Sequence, residues 1–207
     1  MTLSWQSRME LPSLLNSLNL LGNGVEVGVQ RGVFSEHIRL GWNGAMLYCV
    51  DPWKKYDGVI NPQEMHDAYY AEAVGRLRAT GKPWTEMRMT SLEAAAHFAK
   101  DGTRFDFVFL DGDHFYEAVK ADVEAWLPLI RPGGVLAGHD YVPDGWHRNG
   151  DAFTAYPDEA SAGPHCGPFG VVKAVTELFG AGGKYEREVA LTLPSTDEGW
   201  RSWAVRA

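Results

Sequence analysis

The feature that most constrains this chain is a regular alternation between short β-rich apolar runs and stretches with helical spacing. Five runs stand out: Gly24–Val29 (GVEVGV), Ala45–Val50 (AMLYCV), Thr85–Met89, Phe105–Leu110 (FDFVFL) and Val135–Gly138. Between and around them, apolar residues recur at helical spacing over Leu11–Leu21, Phe34–Trp42, Gln63–Ala79, Leu92–Lys100, Tyr116–Ile130 and Val171–Phe179. Strands that alternate with helices need crossover connections, and crossovers build a mainly parallel sheet with helices on both faces. The expected fold is therefore a doubly wound α/β domain. Glu186–Leu193 and Trp200–Val205 read as a closing pair of strands in the same sheet. The expected organisation is a single domain over residues 1–207, with 1–22 as an N-terminal helical segment. Tyr141–Pro168 breaks the rhythm and is rich in Gly, Pro, Asp and aromatic residues, so residues 141–168 read as a lid loop over a site.

In an open parallel sheet, ligands bind beyond the C-terminal ends of the strands. Glu26, Gly28 and Gly32 stand at the first such end and Asp51 at the second. Thr90 and Ser91 stand at the third, Asp111, Asp113 and His114 at the fourth, and His139 and Asp140 at the fifth. Ser91 is also a candidate N-cap for the helix that follows it. Trp53, just beyond Asp51-Pro52, can stack on a flat ring or pack internally. His147 and His165 in the long loop are candidates for substrate contact.

Composition and motif arithmetic remove several function classes. The net charge of −8 repels phosphate backbones and anionic lipid surfaces, so neither nucleic acid nor membrane is an expected partner. The chain has 2 cysteines and no CxxC pair, which argues against a thiolate zinc site and fits a reducing, cytoplasmic setting. No apolar run reaches the length of a membrane span. A dinucleotide fingerprint needs G-x-G-x-x-G, and counting from Gly28 the second and third places hold Gln30 and Val33. A phosphate-binding P-loop run is absent as well. A small-molecule substrate remains the expected partner, with a homo-oligomer open.

The first strand end, Glu26-Val27-Gly28-Val29-Gln30-Arg31-Gly32, resembles the E-x-G-x-x-x-G motif of class I S-adenosylmethionine-dependent methyltransferases. The stretch Phe105–Tyr141 is more specific. It holds Leu110-Asp111-Gly112-Asp113-His114-Phe115-Tyr116, then Pro132-Gly133-Gly134, then His139-Asp140-Tyr141. This is similar to the branch containing macrolide-sugar and related antibiotic-pathway O-methyltransferases and cephalosporin-hydroxylase-like proteins. The resemblance implies a seven-stranded sheet of order 3-2-1-4-5-7-6 and S-adenosyl-L-methionine as cofactor. It places Glu26, Gly28, Gly32 and Asp51 around that cofactor, with Asp51 on the ribose hydroxyls; Trp53, Ser91 and Asp111, at neighbouring strand ends, are the further candidates for cofactor contact. It also implies a divalent ion, Mg2+ or another, on Asp111, His139 and Asp140. His139 replaces an acid of the family pattern there, which weakens the case for magnesium because magnesium prefers oxygen donors.

Methyl transfer to a hydroxyl needs a base, and the imidazole of His114, or the neighbouring Asp113, is the candidate. Two other readings stay open: a hydroxylase-like relative sharing this sheet, and a binding protein that keeps the pocket without turnover.

Overall fold

The computed structural model describes residues 3–55, 62–141, 146–149, 152–155, 170–192 and 201–207. Its sheet strands are β1 (Asn23–Val27), β2 (Met46–Val50), β3 (Trp84–Met87), β4 (Phe105–Leu110) and β5 (Ile130–Tyr141). A ribbon of β6 (Trp146–Asn149) and β7 (Ala152–Ala155) follows, then β8 (Ala190–Leu191) and β9 (Arg201–Arg206). The main sheet has the order β3-β2-β1-β4-β5-β9-β8. Counted along the sheet strands alone, this is the expected 3-2-1-4-5-7-6. β1 to β5 run parallel, while β9 is antiparallel to both β5 and β8.

β4 explains why the sheet lies where it does. All six of its residues are buried, as a strand covered on both faces requires. Phe107 and Phe109 join a core with Leu11 and Leu15 of α1 (Leu11–Ser17), Phe34 and Ile38 of α2 (Val33–Gly41), and Ala73 and Leu77 of α3 (Gln63–Ala79). Val108 and Leu110 point the other way. They join Phe98 of α4 (Ser91–Asp101), Val123 and Trp126 of α5 (Tyr116–Trp126), and Val175 of α6 (Val171–Phe179). The period-2 alternation of one strand thus sorts three helices to each face.

Several boundaries differ from the sequence reading. The first helix stops at Ser17 rather than Leu21, because Asn19 takes a left-handed φ of 55° and turns the chain. The helix over α5 stops at Trp126. Pro128 has no N–H to continue it, so a short 3-10 turn leads into β5 at Ile130. β5 does not end at Gly138 but continues through His139 and Asp140 to Tyr141. The span read as a lid loop contains the β6–β7 ribbon; residues 142–145, 150–151 and 156–168 of it lie outside the described residues. No helix among the described residues is long and apolar enough to cross a membrane.

Gly28 and Gly102 separate two kinds of glycine. Both hold positive φ, 86° and 70°. A Cβ on Gly28 would lie 2.0 Å from the backbone oxygen of Asp111, whereas one on Gly102 would meet nothing within 4 Å. Gly102→Ala is therefore expected to cost about 1 kcal/mol, the strain of the left-handed conformation alone. Gly28→Ala must also push β1 away from β4 and is expected to cost about 3 kcal/mol or more. Denaturant unfolding of the two variants checks this; equal losses would show that the strand ends do not meet as described.

Candidate functional site

The site forms where β1, β4 and β5 end. Gly28 allows the turn after β1 to pass directly over the end of β4, and Asp111 donates its backbone N–H to Val27 at 2.8 Å. Gly32, φ 74°, starts α2 beneath α3, where a Cβ would lie 2.8 Å from the Cα of Ala73. Close approach of backbone thus accounts for both glycines. Between them the turn is held by Asp51. One carboxylate oxygen accepts the N–H groups of Val29 and Gln30 at 3.1 and 2.8 Å, and the other accepts that of Trp53 at 2.7 Å. A carboxylate offers about four acceptor positions, so Asp51 spends most of its capacity on shaping the turn.

The end of β5 gathers two functional side chains by breaking strand geometry. Successive residues of a strand point to opposite faces. Between Gly138 and Tyr141 the register against β9 shifts, and Asp140 holds a left-handed φ of 52°. A bulge of this kind re-aims a side chain, and a strained non-glycine φ marks a place where the surroundings over-determine the backbone. The side chains of His139 and Asp140 consequently meet each other beside Asp111. His139 Nδ1 lies 2.9 Å from Asp140 Oδ1 and 3.7 Å from Asp111 Oδ1. One donor atom from each of Asp111, His139 and Asp140 falls within 4.8 Å of the others, a spacing that could hold a metal ion.

His114 closes this cluster. Its Nε2 is 3.0 Å from Asp140 Oδ2 and 3.4 Å from Asp111 Oδ1. Burial favours the neutral ring, but the hydrogen bond to Asp111 and the charges of Asp140 and Asp111 outweigh it and leave the imidazole pKa raised. Burial of the Asp140 carboxyl is in turn outweighed by its bond to His139 and the charge of His114, so its pKa is lowered. A small cavity of about 10 Å3, the size of one water, lies behind the two histidines and is lined in part by Asp113 and Asp122. Burial pushes Asp122 up to about 6.

Several expected site residues take other places. Asp113 is exposed and outside the cluster; its Oδ1 accepts the N–H of Phe115 at 2.9 Å and caps the turn before α5. Trp53 does not offer a free ring. It is 2% exposed, donates its indole N–H to the Gln30 carbonyl and packs edge-on to Tyr70, because the turn it belongs to is folded inward. Ser91 is not the N-cap of α4. Thr90 is, in a capping box with Glu93. The Ser91 hydroxyl instead donates to Asp122 at 2.6 Å and accepts from Trp126. The side chain of His147 lies outside the described set, as does His165 altogether.

Arg8 is the site residue that sequence reasoning missed. Its guanidinium carbon lies 5.2 Å over the Phe34 ring centroid, a cation–π contact, and its Nη1 is 3.3 Å from Asp111 Oδ2, across 103 positions of sequence. No local pattern signals such a contact.

Glu26 lies under the site, 1% exposed, and accepts the Ser35 hydroxyl. Burial dominates and raises its pKa from 4.5 to about 8. At pH values between these two, the unfolded chain has released this proton while the folded chain keeps it. Stability contributed here is thus present at low pH and lost as pH rises through that window, by at most about 1.4 kcal/mol per pH unit. Glu26→Gln, which keeps the shape without the titration, is expected to flatten stability between pH 5 and 8. Urea unfolding across that range checks it; parallel slopes for both chains would show that Glu26 is ionised in the fold.

Comparison with known proteins follows the same geometry. A family model described as a methyltransferase domain matches residues 25–141. The uncharacterized protein y4gI of Sinorhizobium fredii (strain NBRC 101917 / NGR234) is 26% identical over 137 residues, which are 64% of this chain and 14% of that protein. The chain therefore spans about 14% of that relative's length. The solved O-methyltransferase from Bacillus cereus in complex with SAH superposes with a TM-score of 0.62 at 19% identity, covering 97% of this chain and 80% of that one. The O-methyltransferase TomG from Streptomyces achromogenes, involved in tomaymycin synthesis and solved with SAM, gives 0.60 at 17% identity, covering 97% and 79%. At these identities the two structures speak for the shared fold.

Proposed function

Since this chain belongs to the methyltransferase-domain family, we propose that it transfers a methyl group from S-adenosyl-L-methionine to a hydroxyl oxygen of a small molecule. The observation that carries the reading is the convergence of Asp111, His114, His139 and Asp140 beside the Gly28–Gly32 turn. A sulfonium donor supplies an activated methyl group, so the protein's tasks are to hold donor and acceptor in line and to manage one proton. The turn held by Asp51, with its remaining acceptor capacity toward ribose hydroxyls, serves the first task. His114 serves the second. The carboxylates on either side raise its pKa, which makes the free imidazole a stronger base for the acceptor proton.

A divalent ion fits the donor set of two carboxylates and one imidazole within 4.8 Å. Bound there, it would polarise the acceptor hydroxyl. Mixed oxygen and nitrogen donors suit manganese or a similar ion better than magnesium. A binding protein without turnover would have little use for a strained bulge that turns two ionisable groups into one cluster. The intact cluster therefore favours an enzyme.

Adenosylhomocysteine is expected to raise the melting temperature, since it binds the folded state alone, and NAD is expected to leave it unchanged. Asp51→Ala should weaken adenosylhomocysteine in calorimetry by roughly 1.5–3 kcal/mol, the worth of hydrogen bonds to a charged group. Stabilisation by NAD and none by adenosylhomocysteine would refute the cofactor assignment. Radiolabelled S-adenosylmethionine offered with a panel of polyhydroxylated small molecules should label oxygen. His114→Ala should slow that labelling by about 10²–10⁴-fold, as for a lost general base. Label recovered only on amines or thiols would overturn the hydroxyl reading.

A further inference from the structure

We propose that Arg8 is a built-in cation of the acid cluster that competes with a divalent ion for Asp111, so that ion binding and the N-terminal segment are coupled. The inference rests on Asp111, His139 and Asp140 being the ion's ligands.

The position of Arg8 is built by the fold. Leu3 and Trp5, before it, are buried in the core at 8% and 5% exposure. Ser7 caps the short 3-10 turn Arg8–Glu10 by accepting the N–H of Met9. Leu11, after it, is fully buried in α1. Anchors on both sides leave the guanidinium carbon 5.2 Å over the Phe34 ring centroid, with Nη1 3.3 Å from Asp111 Oδ2. Its charge reaches further: it adds to the lowering of the Asp140 carboxyl pKa and works in part against the burial that raises that of Glu26.

Arg8 differs in kind from the other basic groups of the cluster. An imidazole can offer an ion a neutral nitrogen, as at metal sites. A guanidinium cannot be neutralised in a protein. An ion arriving at Asp111 therefore meets a fixed positive charge that has to be displaced or tolerated. Toward Asp111 itself Arg8 makes one N···O approach of 3.3 Å, with 19% of each side chain exposed, and a part-exposed ion pair of that length is weak enough to be displaced. Empty of metal, the cluster stays compensated; loaded, Arg8 gives up Asp111.

The test is a manganese titration of the full chain, with free Mn2+ read by electron paramagnetic resonance. Wild type, Arg8→Gln and Arg8→Lys are compared, with circular dichroism melts to confirm that each is folded. Arg8→Gln is expected to bind Mn2+ about tenfold tighter than wild type, within the usual range of coupling between linked sites. Arg8→Lys keeps the charge and should stay near wild type. Adding Asp140→Asn to Arg8→Gln should abolish the gain. Equal or weaker binding by Arg8→Gln overturns the coupling while leaving the ion site standing. Tight binding that survives Asp140→Asn places the ion elsewhere and overturns the proposal. No binding by any of the chains overturns the ion site itself, and the coupling with it.

Discussion

Asp111 and Asp140 end neighbouring parallel strands, and strand spacing in a sheet, about 4.8 Å, brings their side chains into one small volume. Two carboxylates that close repel each other, by about 4 kcal/mol at 4 Å in the partly polar environment near a protein surface. The fold answers with basic side chains from three directions. His114 arrives from the turn after β4, His139 from the residue before Asp140, and Arg8 from the far N-terminus. Each of these reaches its place through a separate structural device: a capped turn, a bulge and an anchored arm. The clustering of like charges is thus the constraint around which the C-terminal edge of the sheet is arranged. Such concentrated charge, costly for stability, is a usual mark of a functional site.

The same edge shows a second economy. Gly28 and Gly32 let backbone approach backbone, and Asp51 holds the turn between them by its carboxylate. The residues that would cradle a cofactor are therefore also those that join β1 to β4 and α2 to α3. Site and scaffold share atoms here. Changes to this turn are expected to register in stability and in binding together, whereas changes to His114 or Asp140 bear on chemistry.

Much of the architecture could be read directly from the chain. The helices over Gln63–Ala79 and Val171–Phe179 and the strand Phe105–Leu110 match the sequence reading residue for residue; Val171–Phe179 is fixed by the apolar face it buries, and Phe105–Leu110 by being apolar enough to be covered on both sides. Strand order followed from resemblance, not periodicity. What stayed hidden depends on long-range or aperiodic geometry. The bulge that pairs His139 with Asp140 leaves no local signature. Arg8 is one ordinary polar residue among several until the chain folds back over 103 positions. Side-chain commitments were equally silent: nothing in Asp51-Pro52-Trp53 says that three amides occupy the acid and that the indole turns inward. Acids alone are poor guides, too. Asp106 sits in the same strand as the approach to Asp111, yet at the opposite end of the sheet, where it pairs with Arg131 and accepts the Gly22 N–H as a purely structural group.

The central claim is that the Asp111–His114–His139–Asp140 cluster is where the acceptor meets the methyl donor. A crystal structure of the chain with adenosylhomocysteine tests this most directly. The adenosyl group is expected along the Gly28–Gly32 turn, with the sulfur facing His114 and Asp140 across a gap that one acceptor oxygen can fill. A sulfur turned away from the cluster, or a ligand seated at another edge of the sheet, would contradict it.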